Sequence, residues 1–378
     1  MPERVMFTMG DIACAEGALS AGCRYFGGYP ITPATEIAEW MSIRMPELGG
    51  AYAQFEDEIA SITSVIGASW TGAKAMTATS GPGVSLMLES VGLAVITETP
   101  LVIVNIMRGG PSTGQPTRGQ QGDIMQAKWG SHGDYQIIAL TPASVQEMFD
   151  QTVQAFNLAE KFRTPVFILA DETVGHMRER LVIPDEKDLK LETRKLATGP
   201  PEDYLPFKAD DDLVPPMALF GSKYQFYATG LTHDERGYPS DKENVQIELV
   251  TRLNDKIIKN ADKIIDLERF MLDDAEIAVI AYGTPSRSAR KAIKDAREEG
   301  IKAGMLRFKT VWPFPEEAVA QLATEVKHII VAEQNLGQVY YMVRPAACTT
   351  QVHLMTKPAG MPQLPHEILA KLREVNSL

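Results

Sequence analysis

Along the first 175 residues, apolar positions recur in two alternating rhythms. Short runs rich in β-branched and aromatic residues, at 24–29, 51–55, 75–79, 101–107, 137–140 and 165–170, read as strands. Between them apolar residues return every three or four positions, which predicts helices over 11–22, from Thr32-Pro33 to about 45, and over 57–72, 84–97 and 142–161. In 57–72, Ile59, Ile62, Ile66 and Ser69 or Trp70 fall at helical spacing. The apolar run 101–107 has the character of a strand covered on both faces. Strand–helix alternation of this kind implies crossover helices over a parallel sheet.

From 178 to about 274 the pattern decays into Pro, Asp, Glu and Lys, with Gly199-Pro200-Pro201-Glu202-Asp203-Tyr204 and Asp210-Asp211-Asp212 embedded. This stretch reads as a connector with some helix at 242–267. A smaller α/β unit follows, with strands at 277–281, 303–307 and 328–332 and helices at 286–299 and 315–325. The expected organisation is a first domain over 1–178, a connector over 179–274 and a second domain over 275–378. Neither an internal repeat nor a low-complexity tract is evident.

Composition narrows the class. A chain of 378 residues exceeds what one core usually serves, in keeping with two domains. Its apolar runs fall well short of a membrane span and its N-terminus lacks a basic-then-apolar signal pattern, so a cytoplasmic protein with no membrane association is expected. The three cysteines, Cys14, Cys23 and Cys348, include no C-x-x-C pair, which leaves no basis for a disulfide framework, a zinc site or an iron–sulfur site. No metal ligands are assigned. A net charge of −12 without a Lys/Arg stripe argues against nucleic acid. Proteins and small metabolites are the expected partners.

Open parallel sheets bind ligands at the carboxyl ends of their strands, and four loops there carry chemistry. In Gly27-Gly28-Tyr29-Pro30-Ile31-Thr32-Pro33, Thr32 offers a hydroxyl at a helix start, either as a plain N-cap or for a ligand. Phe55-Glu56-Asp57-Glu58 places three carboxylates where a strand meets a helix; the helix dipole accounts for such a cluster, and one member could still serve chemistry. Thr79-Ser80-Gly81-Pro82-Gly83 could turn backbone N–H groups toward an anion, but it lacks a P-loop lysine and dinucleotide spacing. Arg108 leaves a buried strand into the Gly- and hydroxyl-rich segment 109–117, suited either to grip a carboxylate with its guanidinium fork or to tie loops together. Gln120-Gln121-Gly122-Asp123 and Trp129-Gly130-Ser131-His132-Gly133-Asp134 extend that loop, and His132 receives no role.

Tyr29-Pro30-Ile31-Thr32-Pro33, Phe55-Glu56-Asp57-Glu58-Ile59-Ala60-Ser61, Thr77-Ala78-Thr79-Ser80-Gly81-Pro82-Gly83 and Arg108-Gly109-Gly110-Pro111-Ser112-Thr113-Gly114 resemble segments of the 2-oxoacid:ferredoxin oxidoreductase family. The resemblance continues through Gln121-Gly122-Asp123, 129–134, 144–149 and 170–179, and is greatest to the alpha subunits of members that use 2-oxoglutarate. It implies a parallel-sheet thiamin diphosphate-binding fold of the pyrimidine type, then a smaller transketolase-C-like α/β domain. It also implies that Glu58 hydrogen-bonds the aminopyrimidine ring and so promotes loss of the thiazolium proton, with Pro30 and Ile31 beside the cofactor. Arg108 and Thr32 would hold the oxoacid carboxylate, and Ser112 and Thr113 would help with the distal carboxylate of 2-oxoglutarate. The expected reaction is oxidative decarboxylation of 2-oxoglutarate with coenzyme A to succinyl-CoA, carbon dioxide and reduced ferredoxin.

No Gly-Asp-Gly occurs in the chain, so a partner beta subunit is expected to hold the diphosphate, its Mg2+ and an iron–sulfur cluster, with gamma and delta subunits as further candidates. Two rivals stay open: a paralogous subunit acting on pyruvate or branched-chain 2-oxoacids, and a non-catalytic assembly subunit that covers a partner's active site. A nicotinamide-dependent dehydrogenase is disfavoured because no Gly-x-Gly-x-x-Gly opens a strand–helix turn.

Overall fold

The computed structural model describes residues 3–358 and 360–378. The predicted strands of the first domain, joined by the unpredicted Thr310–Trp312, assemble into one mostly parallel sheet in the order Thr310–Trp312, Ile138–Leu140, Pro165–Asp171, Leu101–Gly109, Lys74–Thr79, Cys23–Gly28, Ala51–Gln54. Only Thr310–Trp312, antiparallel to Ile138–Leu140, and the short Gln115–Gly119, antiparallel to the end of Leu101–Gly109, break the parallel pattern. A five-stranded sheet follows the order Leu267–Phe270, Ala303–Phe308, Ile277–Ala281, His328–Glu333, Gln351–Thr356.

Side-chain alternation along the central strand explains the layering. Val102, Val104 and Ile106 face one core, formed with the helices Gly10–Ser20, Thr35–Glu47 and Val145–Phe162. Leu101, Ile103 and Met107 face a second core, which also contains Ala278, Ile280, Leu306 and Phe308 of the smaller sheet. The two sheets therefore share an apolar layer, while Val279, Met305 and Ile330 pack beneath the helices Thr284–Glu298 and Pro365–Asn376 on the far side. Asn105 interrupts the apolar run at a fully buried position and turns its amide toward Asp123, Nδ2 to Oδ2 3.1 Å.

Several expectations are corrected by tertiary contacts. The helix expected from Thr32-Pro33 starts at Thr35, after Ala34 and without a side-chain cap, so Thr32 is not an N-cap. The helix expected over 84–97 starts at Gly81. Helix Glu58–Trp70 buries Glu58, Ile62, Val65, Ile66, Ser69 and Trp70, whereas Ile59 is 51% exposed. The period and most of the stripe are as expected, with Ile62, Ile66, Ser69 and Trp70 buried; only its first position differs, where Glu58 rather than Ile59 faces inward. Arg4–Met9 and Arg178–Ile183 pair antiparallel as a two-stranded sheet that local pattern did not reveal.

The polar connector is ordered by buried ion pairs. Arg194 bridges Glu160 (Nε to Oε2 2.9 Å) and the Ser69 carbonyl (Nη1 2.6 Å). Helix Glu243–Ile258 is held by Glu98, which accepts from Lys256 (2.7 Å) and Arg252 (2.7 Å). The helix expected over 242–267 thus ends at Ile258, with a short turn of helix at Ala261–Ile264 and a strand from Leu267.

Candidate functional site

The site forms where the strands ending at Gly28, Gln54, Thr79 and Gly109 release their chains on one side of the sheet. After Gln54 the three carboxylates separate by role. Glu56 is exposed; Asp57 is the N-cap, its Oδ1 accepting the Ala60 N–H at 2.8 Å; Glu58 turns inward and is 5% exposed. A Cβ on Gly83 would stand 2.0 Å from Thr79 Oγ1 and 2.7 Å from Glu58 Oε1, so only glycine there leaves room for this carboxylate beside helix Gly81–Ile96. Burial raises the Glu58 carboxyl above its ordinary value, and its own backbone N–H and the charge of Arg108 pull it back. Among the described residues, no other side chain or backbone N–H donates a hydrogen bond to it.

Arg108 is 7% exposed. Its Nη1 donates to the Thr32 carbonyl at 2.6 Å and its Nη2 to the Thr113 carbonyl at 3.0 Å, while buried Nε has no acceptor among the described residues. The guanidinium thus ties the 29–33 loop to the 110–114 loop and retains unused N–H donors. Both sequence readings of this residue, loop tie and carboxylate grip, are compatible with that geometry. Desolvation lowers its pKa, opposed by Asp123 and Glu58.

A cleft of about 630 Å³ opens beside these groups, lined among others by Gly81, Arg108, Ser112, Asp123, Asn335 and Tyr341. Ser112 is in the lining, and Thr113 contributes its carbonyl to Arg108. Thr32 and Pro30 are exposed and Ile31 is half-buried, none of them in the lining, and Glu58 lies behind Gly83 rather than on the cleft wall. A carboxyl packs against the start of the 80–83 turn. Asp123 places Oδ2 2.7 Å from where a Cβ on Gly81 would project, and burial pushes its carboxyl up to about 6 against the pull of Asn105 and Arg108. Ser80 is occupied structurally, its hydroxyl donating to the Ile106 carbonyl at 2.8 Å. His132 is exposed.

Residues of the second domain complete the cleft, and sequence reasoning missed them. The Gln121 amide donates to the Tyr282 carbonyl at 3.1 Å, Asn335 Nδ2 donates to the Gln121 carbonyl at 2.8 Å, and Gln338 Oε1 accepts the Met125 N–H at 2.9 Å. These pairs span more than 150 residues, so no local signal announces them. The Gln121-Gly122-Asp123 motif was the only part legible in advance, and its aspartate had been given no task.

A fold of two layered α/β units with a buried glutamate at a strand end and a cleft floored by both units defines a class, and comparison with known families agrees with it. The family model described as "Pyruvate flavodoxin/ferredoxin oxidoreductase, thiamine diP-bdg" matches residues 16–251, and that of "Pyruvate:ferredoxin oxidoreductase core domain II" matches residues 275–368. The chain belongs to the 2-oxoacid:ferredoxin oxidoreductase family. It is 54% identical to the 2-oxoglutarate synthase subunit KorA of Methanothermobacter thermautotrophicus over 98% of both chains, and 52% identical to the KorA subunit of Methanocaldococcus jannaschii over 97% of this chain and 98% of that one. Identity to the ketoisovalerate oxidoreductase subunit VorB of M. thermautotrophicus is 36%, over 97% of this chain and 96% of that one. Among solved structures, it superposes on a 2-oxoglutarate:ferredoxin oxidoreductase from Magnetococcus marinus with 2-oxoglutarate, coenzyme A and succinyl-CoA bound, at TM-score 0.94 and 34% identity. That match covers 98% of this chain and 65% of the other.

Proposed function

We propose that this chain is the alpha subunit of a 2-oxoglutarate:ferredoxin oxidoreductase, converting 2-oxoglutarate and coenzyme A to succinyl-CoA and carbon dioxide while reducing ferredoxin. The observation that carries the reading is Glu58: a buried carboxylate at the first position of its helix, with no donor from another residue, in a recess that Gly83 keeps open. Such a group lacks a hydrogen-bond partner, and the pyrimidine ring nitrogen of thiamin diphosphate would offer one. The residues present fit the pyrimidine half of that cofactor. When bound, thiamin diphosphate supplies a carbanion that adds to the keto carbon and takes up the electrons left by decarboxylation.

The chain's own residues do the rest. Glu58 would hydrogen-bond the ring nitrogen, orienting the pyrimidine and favouring the imino tautomer, whose exocyclic nitrogen can take a proton. Arg108, held at fixed height by the Thr32 and Thr113 carbonyls, keeps N–H donors for the oxoacid carboxylate. Thr32, with Ser112 and Thr113, supplies hydroxyls around it, and Pro30 and Ile31 form the turn that carries Thr32. Identity of 52–55% to 2-oxoglutarate synthase subunits, against 36% to a ketoisovalerate subunit, favours 2-oxoglutarate over a branched-chain acid.

The chain carries no Gly-Asp-Gly and only three separated cysteines. A beta subunit therefore holds the diphosphate with Mg2+ and the iron–sulfur cluster, and the assembly, with gamma and delta subunits where present, works in the cytoplasm. The test is to co-express the chain with a partner bearing Gly-Asp-Gly and clustered cysteines, and to follow coenzyme A-dependent ferredoxin reduction with 2-oxoglutarate, pyruvate and 2-oxoisovalerate. Activity should be greatest with 2-oxoglutarate and fall by about 10²–10⁴-fold in Glu58→Gln, the range for loss of a positioned acid–base group. A fully active variant would show that the chain only covers its partner's site.

A further inference from the structure

On the side of the sheet where Asp171 ends its strand, three ligand-type side chains converge that the proposed reaction does not use. Asp11 stands in the first turn of helix Gly10–Ser20, Glu36 in the first turn of helix Thr35–Glu47, and His176 ends the short helix Glu172–His176. His176 Nε2 lies 3.5 Å from Glu36 Oε2 and 3.9 Å from Asp11 Oδ2, and one ligand atom from each of the three lies within 4.8 Å of the others. A fourth oxygen is present: Nε2 is 3.0 Å from the Pro33 carbonyl.

Asp11 is the informative member. It is 0% exposed, and neither carboxylate oxygen has a hydrogen-bond partner among the described residues. Its electrostatic neighbours Glu36 and Glu172 are both acidic and, with burial, raise its pKa well above the ordinary aspartate range. Burial without donors disfavours the ionised carboxyl, and His176 at 3.9 Å is too far to hydrogen-bond it, so a cation is what would let Asp11 ionise here. Buried charges are ordinarily paired or coordinate a metal.

We propose that Asp11, Glu36 and His176 form a binding site for a first-row divalent transition-metal ion such as Zn2+. One imidazole nitrogen with two carboxylates suits such an ion, whereas Mg2+ and Ca2+ prefer oxygen ligands alone. The ion replaces the Nε2 proton now shared with Pro33, and the Pro33 carbonyl becomes available as a fourth ligand. Since Pro33 follows Thr32, whose carbonyl is gripped by Arg108, the site clamps the substrate-side loop from beneath.

The experiment is calorimetric titration of the purified full-length complex with Zn2+, Mn2+ and Mg2+, comparing the native chain with Asp11→Asn and Glu36→Gln. Metals bound elsewhere cancel in the difference. One equivalent of Zn2+ or Mn2+ per chain should be taken up by the native protein, weakened at least tenfold in each variant, with Mg2+ giving no such difference. Asp11→Asn is nearly isosteric, and Glu36→Gln changes a half-exposed position, so a folding failure of one leaves the other to decide. Equal Zn2+ uptake by native and variant proteins, or no uptake by either, overturns the proposal.

Discussion

Arg108 has five N–H donors, and the two committed to the Thr32 and Thr113 carbonyls set the height of the guanidinium over the cleft. A lysine could place one charge there but could not bridge two carbonyls and an incoming carboxylate at once. Arg108→Lys is therefore expected to lower kcat/KM for the oxoacid by at least about tenfold, the loss of a charge-assisted hydrogen bond, with steady-state kinetics as the check. Gly83 acts on Glu58 by what it lacks. Gly83→Ala should push the carboxylate out of its recess and weaken thiamin diphosphate binding in the assembled complex, measured by calorimetry; unchanged affinity would mean that the Glu58 recess is not the pyrimidine site. The carboxylate run at 56–58 was legible as a cluster, and resemblance singled out Glu58. That Asp57 is spent on capping and Glu56 on solvent follows from the helix phase, which packing sets.

At the scale of elements, two buried carboxylates join distant segments with opposite dependence on pH. Asp171 ends its strand fully buried and accepts from both the N–H and the hydroxyl of Thr284, at the start of the second domain's first helix. Burial pushes its carboxyl up to about 6, so its contribution to stability is complete below its unfolded value and is lost as pH rises through about 6. That rise of about 2 units corresponds to about 3 kcal/mol. Asp171→Asn keeps an acceptor for Thr284 and cannot ionise. The melting temperature of the native protein minus that of the variant should fall between pH 5 and pH 7.5, and a constant difference would show that Asp171 does not titrate. Glu98 has the reverse sign. Burial alone would raise its carboxyl, but Lys256 and Arg252 outweigh it and hold the group at about 2, so its contribution is present above the unfolded value and lost only as pH falls toward 2. Glu98→Ala leaves the buried Lys256 ammonium without its carboxylate, for a loss of about 3–5 kcal/mol. Lower thermal stability with new proteolytic cleavage near 243–258 would register it. Neither joint is visible in the local sequence, since Asp171 and Thr284 lie 113 residues apart and Glu98 and Lys256 lie 158 apart.

At the scale of the molecule, the two sheets share an apolar layer, and Thr310–Trp312, from the second half of the chain, becomes the edge strand of the first sheet. The halves are thus built into one another, and the cleft uses residues from 81–126 and 335–341 together. With the diphosphate side of the cofactor assigned to a partner, the isolated chain is expected to bind thiamin diphosphate far more weakly than the complex. Titration of each should show this, and equal affinity would place the whole site on this chain. Hydrophobic period and turn chemistry determined by themselves that the chain is α/β and where most parallel strands and their helices lie, because those signals are local. Tertiary structure alone decided which carboxylate of 56–58 is buried, that Arg108 spans two loops, that Asp123 sits against the start of helix Gly81–Ile96, and that Asp11, Glu36 and His176 meet. Each of these rests on contacts between segments far apart in the chain, where burial and the absence of competing donors, not spacing, set the chemistry.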